Sequence, residues 1–133
     1  MMIISFGWTW PALVFGPKRC TRRDWTPRYA AMFHKDDLVS AWDKSPRIGG
    51  KRVATVRLLR DPHLEPVSEM PDSDYALEGF EWIYSHPEYV PKRLFNRPCT
   101  RADFSPAGFE NWRQSGRLMW VVRYEVEEVV KNA

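Results

Sequence analysis

The sequence predicts one α+β domain over residues 1–133, in which a small, partly closed β-barrel carries short flanking helices. Several segments alternate apolar and polar residues, which is typical of antiparallel strands. Short stretches between them open with Pro, Ser or Asp, the residues that begin helices. With 133 residues, of which 44% are apolar, the chain has the size of one domain with a real core.

The predicted strands are short apolar runs or alternating segments. In the longest of them, Leu118 and every second residue after it form one face. A basic loop with a Gly-Gly turn, Lys44–Lys51, separates two of the strands, so these two form a hairpin. The loop is either simply solvated or able to reach a phosphate. The predicted strands are Ile3–Phe6, Leu38–Asp43, Arg52–Arg60 (with Ala54, Val56 and Leu58 on one face), Leu64–Val67 and Leu118–Val130.

Two predicted helices have a proline near their start and a glycine at their end. Pro11 opens the first, and Gly16 is expected to end it in the left-handed conformation. Ser105-Pro106 begins the last helix, which ends at Gly116. The stretches predicted to lack regular structure are Trp25–Lys35 and Tyr89–Arg101.

A third helix is predicted between these two, beginning at Pro71–Asp74 with acidic residues in its first turn. Gly79 lies in its middle, where Gly is unfavourable by about 1 kcal/mol relative to Ala. A glycine at such a position indicates that another group approaches the backbone closely. Its neighbour is Glu78, whose position alone indicates a solvated side chain. The core-facing residues of this helix are Leu77, Phe80 and Tyr84.

The net charge of +3 is the sum of two opposite halves. Residues 1–60 hold 12 Lys and Arg against 4 Asp and Glu, and residues 61–133 hold 8 against 13. The basic half favours phosphate or carboxylate ligands, and the acidic half argues against wrapping long duplex nucleic acid. Alternatively, the two halves pair with each other across the fold. Seven Trp are more than the core needs, so some are expected to stack on flat ligands.

Neither a metal site nor a membrane segment is expected. Cys20 and Cys99 are isolated, the three His are scattered, and no metal-ligand spacing occurs. A disulfide between the two cysteines stays open. The chain start lacks a basic n-region, and the apolar run to Phe15 is broken by Pro11 and is too short to span a bilayer. A cytoplasmic protein without membrane association is therefore expected, and its oligomeric state is not predicted.

The segment Gly16–Arg23 is the strongest functional motif, because it places one hydroxyl and four cations in eight residues. If it turned helically, Lys18 and Thr21 would share a face, so an amine could reach a hydroxyl. Thr needs a base to become a nucleophile, and crowding by neighbouring arginines lowers a lysine pKa toward that role. The residues alone also allow a helix cap, with Thr21 as the N-cap residue and Asp24 three residues later. On spacing alone, the cap is the favoured interpretation.

A family resemblance bears on this choice. The pattern Gly16-x-Lys18-x-x-Thr21-x-Arg23, after an apolar helix and before a barrel hairpin, resembles the signature of ASCH domains in the PUA-like superfamily. The segment Tyr75–Gly79 resembles the Glu-bearing segment of that family, and the final strand lies where such barrels close. The resemblance covers roughly residues 3–128. It implies a PUA-like barrel and favours a functional site over a cap.

The resemblance also implies an activity. ASCH domains are associated with RNA or nucleotide binding, and a similar bacterial branch hydrolyses the amide of N4-acetylcytidine and related N4-acylated cytosine nucleosides. Its catalytic residues would correspond to Lys18, Thr21 and Glu78, with Arg23 in support. We therefore expect these residues to line one cleft, with a small-molecule nucleoside as substrate and without any metal or organic cofactor.

In the expected reaction Thr21 attacks the acyl carbonyl, Lys18 transfers the proton, and Glu78 orients Lys18 or activates water. Arg23 stabilises the oxyanion. Tryptophans beside the motif are expected to stack on the base: Trp8, Trp10 and Trp25.

Departures from the family pattern and rival functions remain. Pro17 and Cys20 interrupt the motif, and the excess length around Ser85–Gly116 is expected to form a lid or a partner surface. The strongest rival is a module that binds a modified base or single-stranded RNA without turnover. A ribonuclease is a weaker alternative, because no His is placed as an obvious acid or base.

Overall fold

In a computed structural model, which describes residues 1–94 and 96–130, the chain forms a mixed α+β fold, as the sequence predicts. The strands are β1 (Ile3–Ser5), β2 (Cys20–Arg23), β3 (Leu38–Trp42), β4 (Arg52–Leu58), β5 (His63–Pro66), β6 (Arg93–Leu94), β7 (Arg97–Pro98) and β8 (Leu118–Val129). The helices are α1 (Trp10–Phe15), α2 (Pro27–Ala30), α3 (Asp74–Leu77), α4 (Phe80–Ser85) and α5 (Pro106–Gln114).

The long strand β8 organises the main sheet. One edge of β8 pairs antiparallel with β4 along residues 124–129 and with β5 along residues 118–121. The other edge pairs with β2. Strand β3 extends the sheet beside β4, and β1 runs parallel to β3, which gives the order β1-β3-β4-β8-β2. The sheet curls into a half-barrel with the short helices around it.

The concave face of the sheet forms the main core. Ala54, Val56 and Leu58, which were predicted to share a face, are all buried. Tyr124 of β8 is fully buried and meets the ring of Phe6 edge to face at 5.7 Å between centroids. Burial of these apolar side chains supplies the main drive for the sheet to close on itself.

The predicted strands are confirmed with shifts of one or two residues at their ends. The predicted left-handed end of the first helix is wrong, because Gly16 is extended (φ −131°). Glycine is needed there for space, since a Cβ atom would lie 2.5 Å from Cδ1 of Trp82. The stretch predicted to lack structure after Trp25 contains α2, whose first turn is capped by the Thr26 hydroxyl.

The predicted middle helix is broken at Gly79, whose φ of +96° separates α3 from α4. A Cβ atom on Gly79 would lie 2.9 Å from the Cβ of Ala12 and 3.4 Å from Cδ of Lys18. The expected close approach is therefore confirmed, and the approaching groups belong to α1 and to the basic motif. The break also ends α3 at Glu78, which turns toward the half-barrel.

The last helix agrees with its prediction. The Ser105 hydroxyl accepts a hydrogen bond from the Gly108 amide at the start of α5, and Gly116 follows its end with a φ of +62°. Within the stretch predicted to be irregular, β6 and β7 form a small separate hairpin.

The structure also bears on the possible disulfide and on the possibility of a membrane-spanning helix. Cys20 and Cys99 are both free thiols, so the disulfide left open by the sequence is not formed. Across residues 1–94 and 96–130, no helix combines the length and the apolar composition needed to cross a bilayer.

The environment of Gly79 generates a prediction about stability. Gly79→Ala should lower the free energy of unfolding by about 2–3 kcal/mol, because the left-handed backbone and the contact with Ala12 both oppose a Cβ atom. Gly49→Ala is the matched control, since Gly49 has a φ of +82° with open space around it, and should lose only about 1 kcal/mol. Urea denaturation of the two variants measures this difference, and equal losses would contradict the packing argument.

Candidate active site

The basic motif is a strand rather than a helix. Residues Cys20–Arg23 form β2 and pair with β8, with Thr21 opposite Val122. The predicted helical face and the predicted helix cap are therefore both wrong, because the long free edge of β8 satisfies the backbone of this segment with sheet hydrogen bonds. In a strand, side chains alternate, so Thr21 and Arg23 share one face and Cys20 and Arg22 the other.

A cleft of about 870 Å³ opens beside β2. Lys18, Thr21 and Glu78 all line it, although Glu78 lies 60 positions along the chain from Lys18. Arg23 and Trp8 line it as well. The structure thus brings together the residues that the sequence selected for chemistry, at the junction of β2 and the end of α3.

Lys18 is buried on the cleft floor, with 1% of its surface exposed. Its Nζ donates hydrogen bonds to the backbone oxygens of Cys20 (2.7 Å) and Glu78 (2.8 Å), and lies 3.6 Å from Oε1 of Glu78. Burial lowers the pKa of Lys18, and the attraction of Glu78 opposes that shift only in part. A neutral amine would keep both hydrogen bonds and hold a lone pair ready for a proton.

Glu78 is buried rather than solvated, so the expectation from its helix position alone is wrong. Its Oε2 accepts a hydrogen bond from Nη1 of Arg22 at 2.6 Å, and the Cys20 thiol lies 3.4 Å from the same oxygen. Burial raises the pKa of the Cys20 thiol, which keeps it a neutral donor. Glu78 therefore offers one oxygen to Arg22 and the other to Lys18.

Thr21 and Arg23 form the second pair of the site. Nε of Arg23 donates to the Thr21 hydroxyl oxygen at 3.0 Å, and its guanidinium carbon lies 5.3 Å from the centre of the Phe6 ring. Among the described residues, no carboxylate lies within 4 Å of the Arg23 guanidinium. Burial lowers the pKa of Arg23, so this cation gains from any negative charge that develops nearby.

The direct hydrogen bond expected between Lys18 and Thr21 is not formed among the described residues, since Lys18 bonds the two backbone oxygens and Thr21 bonds Arg23. The two side chains nevertheless face the same cleft. Catalytic hydrogen bonds often tighten only when substrate is bound.

A buried ion network beneath the cleft was missed by the sequence reasoning. Nη2 of Arg22 lies 2.7 Å from Asp74 and 3.2 Å from Glu65, and Arg123 binds both oxygens of Asp74 at 3.0 and 2.9 Å. Burial opposes the charge of Asp74, but the hydrogen bonds from Arg123 and Arg22 outweigh it and lower the pKa of Asp74. The sequence signal that could have revealed this network was strand alternation, which places Arg22 on a different face from Arg23.

The network also bears on the charge asymmetry of the chain. Lys18 and Arg22 come from the basic half, and their partners Glu65, Asp74 and Glu78 come from the acidic half. The alternative that the two halves pair across the fold is therefore confirmed for this cluster. The basic Lys44–Lys51 loop does not line the cleft.

Of the three tryptophans expected to bind a base, the cleft includes Trp8 alone. Trp10 packs against Phe15, with ring centres 6.0 Å apart. Trp25 stacks on Phe33 at 4.6 Å with an interplanar angle of 11°. Both tryptophans pack against the main core, so neither is free to bind a ligand in the cleft.

Four aromatic side chains that contact one another also line the cleft and form an aromatic wall. Trp8 packs against Phe104 at 5.0 Å and Phe80 at 6.0 Å between ring centres, and Trp112 stacks on Phe80 at 5.4 Å with parallel planes. Trp112 was not among the candidate site residues selected from the sequence. Flat apolar surfaces of this kind suit the face of a nucleobase.

The extra segment Ser85–Gly116 forms one side of the cleft. Trp112 and Asn111 reach it from α5, and Arg97 reaches it from β7. Arg97 and Arg117 leave 60% and 58% of their side chains exposed near the opening, with ion pairs to Asp103 (3.7 Å) and Asp24 (3.0 Å). Within residues 1–94 and 96–130, no three His, Cys, Asp or Glu side chains are grouped so that they could hold a metal ion.

Comparisons with known proteins bear on the fold. No family model matches the chain, and no curated protein matches it. Among solved structures, the chain is similar to the crystal structure of protein EF3133 from Enterococcus faecalis, which is described by the family model DUF984. The match has a TM-score of 0.55 and 12% sequence identity, and covers 100% of this chain and 85% of that one. At 12% identity the likeness supports the α+β architecture and carries no information about activity.

The shifted pKa of Asp74 predicts how stability depends on pH. A carboxyl whose pKa is lowered on folding stabilises the fold above its ordinary value of 3.8, and that stability is lost as the pH falls through the lower folded value. Asp74→Asn should therefore cost about 3 kcal/mol at pH 7 and flatten the loss of stability between about pH 5 and 2.

Asp72→Asn provides the control, because Asp72 also pairs with an arginine but leaves 94% of its side chain exposed. Chemical denaturation at a series of pH values measures both variants. Equal acid sensitivity of the Asp74→Asn variant and the unmodified protein would exclude Asp74 as a main source of acid lability.

Proposed function

We propose that this protein is an amidohydrolase that removes the acyl group from N4-acylated cytosine nucleosides of the N4-acetylcytidine type. The observation that carries the proposal is the arrangement on the cleft floor. A buried Lys18 with a lowered pKa lies beside the Glu78 carboxylate, in the same cleft as the Thr21 hydroxyl and the Arg23 cation. These residues match the motif of the ASCH domains, and the half-barrel suits a PUA-like fold, to which we assign the chain.

In the first half of the reaction, the Thr21 oxygen forms a bond to the acyl carbon, and its proton passes to the neutral Lys18 amine. The carbonyl oxygen becomes an oxyanion, which the Arg23 guanidinium stabilises. Collapse of this intermediate breaks the bond between the acyl carbon and the exocyclic nitrogen. The protonated Lys18 returns the proton to that nitrogen, so the cytosine nucleoside leaves and the acyl group stays on Thr21.

In the second half, water attacks the acyl group on Thr21. Lys18, oriented by Glu78, takes one proton from this water and returns it to the Thr21 oxygen as the ester bond breaks. The products are the carboxylic acid and the regenerated hydroxyl. The hydrogen bond from Nε of Arg23 already contacts the Thr21 oxygen, so it stabilises that oxygen whenever it carries negative charge.

Substrate recognition would use the aromatic wall. Trp8 and Trp112 both line the cleft, and each stacking contact with a base would contribute about 1–3 kcal/mol. The amide of Asn111 faces the same space and provides a donor and an acceptor for the polar edge of a pyrimidine.

A binding module for RNA or a modified base is the second candidate, and the cations of the cleft favour it. Arg97 and Arg117 are exposed near the opening, and Arg23 lacks a carboxylate partner among the described residues. These charges suit a phosphate as well as an oxyanion. The two candidates differ in whether the bound base is turned over.

Substitutions of the nucleophile and the base test the chemistry. Thr21→Ser should retain part of the activity, because it keeps a hydroxyl, whereas Thr21→Ala should abolish it. Lys18→Arg should be close to inactive, because a guanidinium keeps its proton near neutral pH. The measurement is release of cytidine from N4-acetylcytidine by the purified protein, with the unfolding temperature determined in parallel.

Thr55→Ala is the matched control, since Thr55 also lies in a strand of the main sheet but outside the cleft. It should keep full activity. Substantial turnover by Thr21→Ala would exclude a Thr21 ester. Undetectable turnover of several acylated bases by the unmodified protein, together with tight binding of any of them, would exclude the enzyme and favour the binding module.

The response to salt separates the two candidates independently. A binding module that contacts phosphates should lose affinity for a short single-stranded RNA steeply as salt rises. A nucleoside hydrolase should bind the same RNA weakly, with little dependence on salt. Fluorescence titration of a labelled RNA at two salt concentrations makes the measurement. Tight, salt-sensitive binding that persists in an Arg97→Gln, Arg117→Gln double variant would place the RNA elsewhere on the surface.

A further inference from the structure

Arg22 is a fully enclosed cation of the site. Its side chain is 0% exposed and contacts three carboxylates, which come from β5, from α3 and from the residue after α3. Although burial opposes its charge, the carboxylates of Glu78 and Asp74 raise the pKa of Arg22, so it stays charged at every physiological pH. Neither the sequence motif nor the proposed reaction gives Arg22 a role.

The contacts of Arg22 divide the two oxygens of Glu78. Nη1 of Arg22 binds Oε2 at 2.6 Å, which is the length of a strong charge-assisted hydrogen bond. The other oxygen, Oε1, is left 3.6 Å from Nζ of Lys18. Because Arg22 and the Cys20 thiol both lie against Oε2, Oε1 is the oxygen left on the side of Lys18.

The fork itself is anchored from behind. Nη2 of Arg22 lies 2.7 Å from Asp74 and 3.2 Å from Glu65. The guanidinium therefore cannot rotate without breaking contacts to α3 and β5. Its position relative to Glu78 is set by the sheet and not by the cleft.

We infer that Arg22 is a positioning residue of the proposed amidohydrolase: it holds the Glu78 carboxylate so that Oε1 faces Lys18. The inference rests on the proposed function, in which Glu78 orients Lys18. The charged and titratable groups that face Glu78 are Lys18, the Cys20 thiol and Arg22; those that face Arg22 from behind are Asp74 and Glu65, with Arg123 and His63 beyond them.

The test compares Arg22→Gln with Arg123→Gln. Both variants remove an arginine from Asp74, but only the first removes a contact to Glu78. Arg22→Gln should lower kcat on the order of 10–100-fold with little change in KM. Arg123→Gln should keep kcat close to the wild-type value, because the contact between Arg22 and Glu78 stays in place.

Arg22→Lys is a second variant that tests the same inference if Arg22→Gln does not fold. A lysine restores the positive charge but not the fork, so kcat should stay reduced although a cation is present. Crystal structures give a readout that does not depend on activity. Oε1 of Glu78 should turn away from Nζ of Lys18 in the Arg22→Gln or Arg22→Lys variant and should stay in place in Arg123→Gln.

The outcomes separate this inference from the proposed function. A wild-type kcat and an unmoved Glu78 in both Arg22 variants would overturn the positioning role while leaving the hydrolase intact. Equal losses of kcat in the Arg22 and Arg123 variants would also overturn it, because they would indicate a general loss of structure. If the unmodified protein hydrolyses no acylated base, the proposed function fails, and the crystallographic comparison still decides whether Arg22 holds Glu78.

Discussion

The burial of Lys18 and Arg22 against Glu78 is the interaction on which the rest of this site depends. Removing charged groups from water costs several kcal/mol for each ion, and that cost is recovered only when the partners are close and well oriented. Arg22, Arg123 and the Lys18 amine are held here against three carboxylates. The ion pairs connect the edge strand β2 to β5 and α3. The contacts that shape the cleft therefore also stabilise the fold.

Stability alone is a poor account of such a cluster. Replacing a buried ion pair with apolar residues of similar volume is often neutral or stabilising, whereas losing one partner is costly. An apolar pair would also have connected β2 to α3. The retained charges all lie at or directly beneath a cleft that contains a hydroxyl, Thr21, and a cation without a carboxylate partner among the described residues, Arg23. Shifted pKa values that gather at a cleft in this way are typical of functional sites.

Two glycines make the geometry of the cluster accessible. The positive φ of Gly79 ends α3 just before Glu78. The backbone oxygen and the carboxylate of Glu78 both lie close to Nζ of Lys18. The missing side chain of the same glycine lets the stem of Lys18 pass beside it. At Gly16 the missing side chain admits the ring of Trp82. The left-handed backbone of Gly79 and the absence of a side chain at Gly16 therefore allow the motif to pack against the helices.

The sequence predicted the α+β class and the strands well, because alternation over segments such as β8 and β4 reports directly on burial. It predicted the secondary structure of the motif wrongly. Spacing within residues 16–23 is compatible with a helix or a cap, and only the distant edge of β8 decides for a strand. The buried partners of Arg22 could not be predicted for a similar reason, since Glu65 and Asp74 lie more than 40 positions away and carry no local signal.

The same contacts explain why Arg23 has no carboxylate partner among the described residues. Glu65, Asp74 and Glu78 are all engaged by Arg22 and Arg123. Strand alternation places Arg22 and Arg23 on opposite faces of β2, and so separates the paired arginine from Arg23. Arg23 is therefore left with the Thr21 oxygen and the face of Phe6 as its described contacts. A negative charge formed at Thr21 or at an adjacent carbonyl oxygen would complete this pairing without any rearrangement, and a preorganised donor of that kind favours a transition state over a neutral ground state.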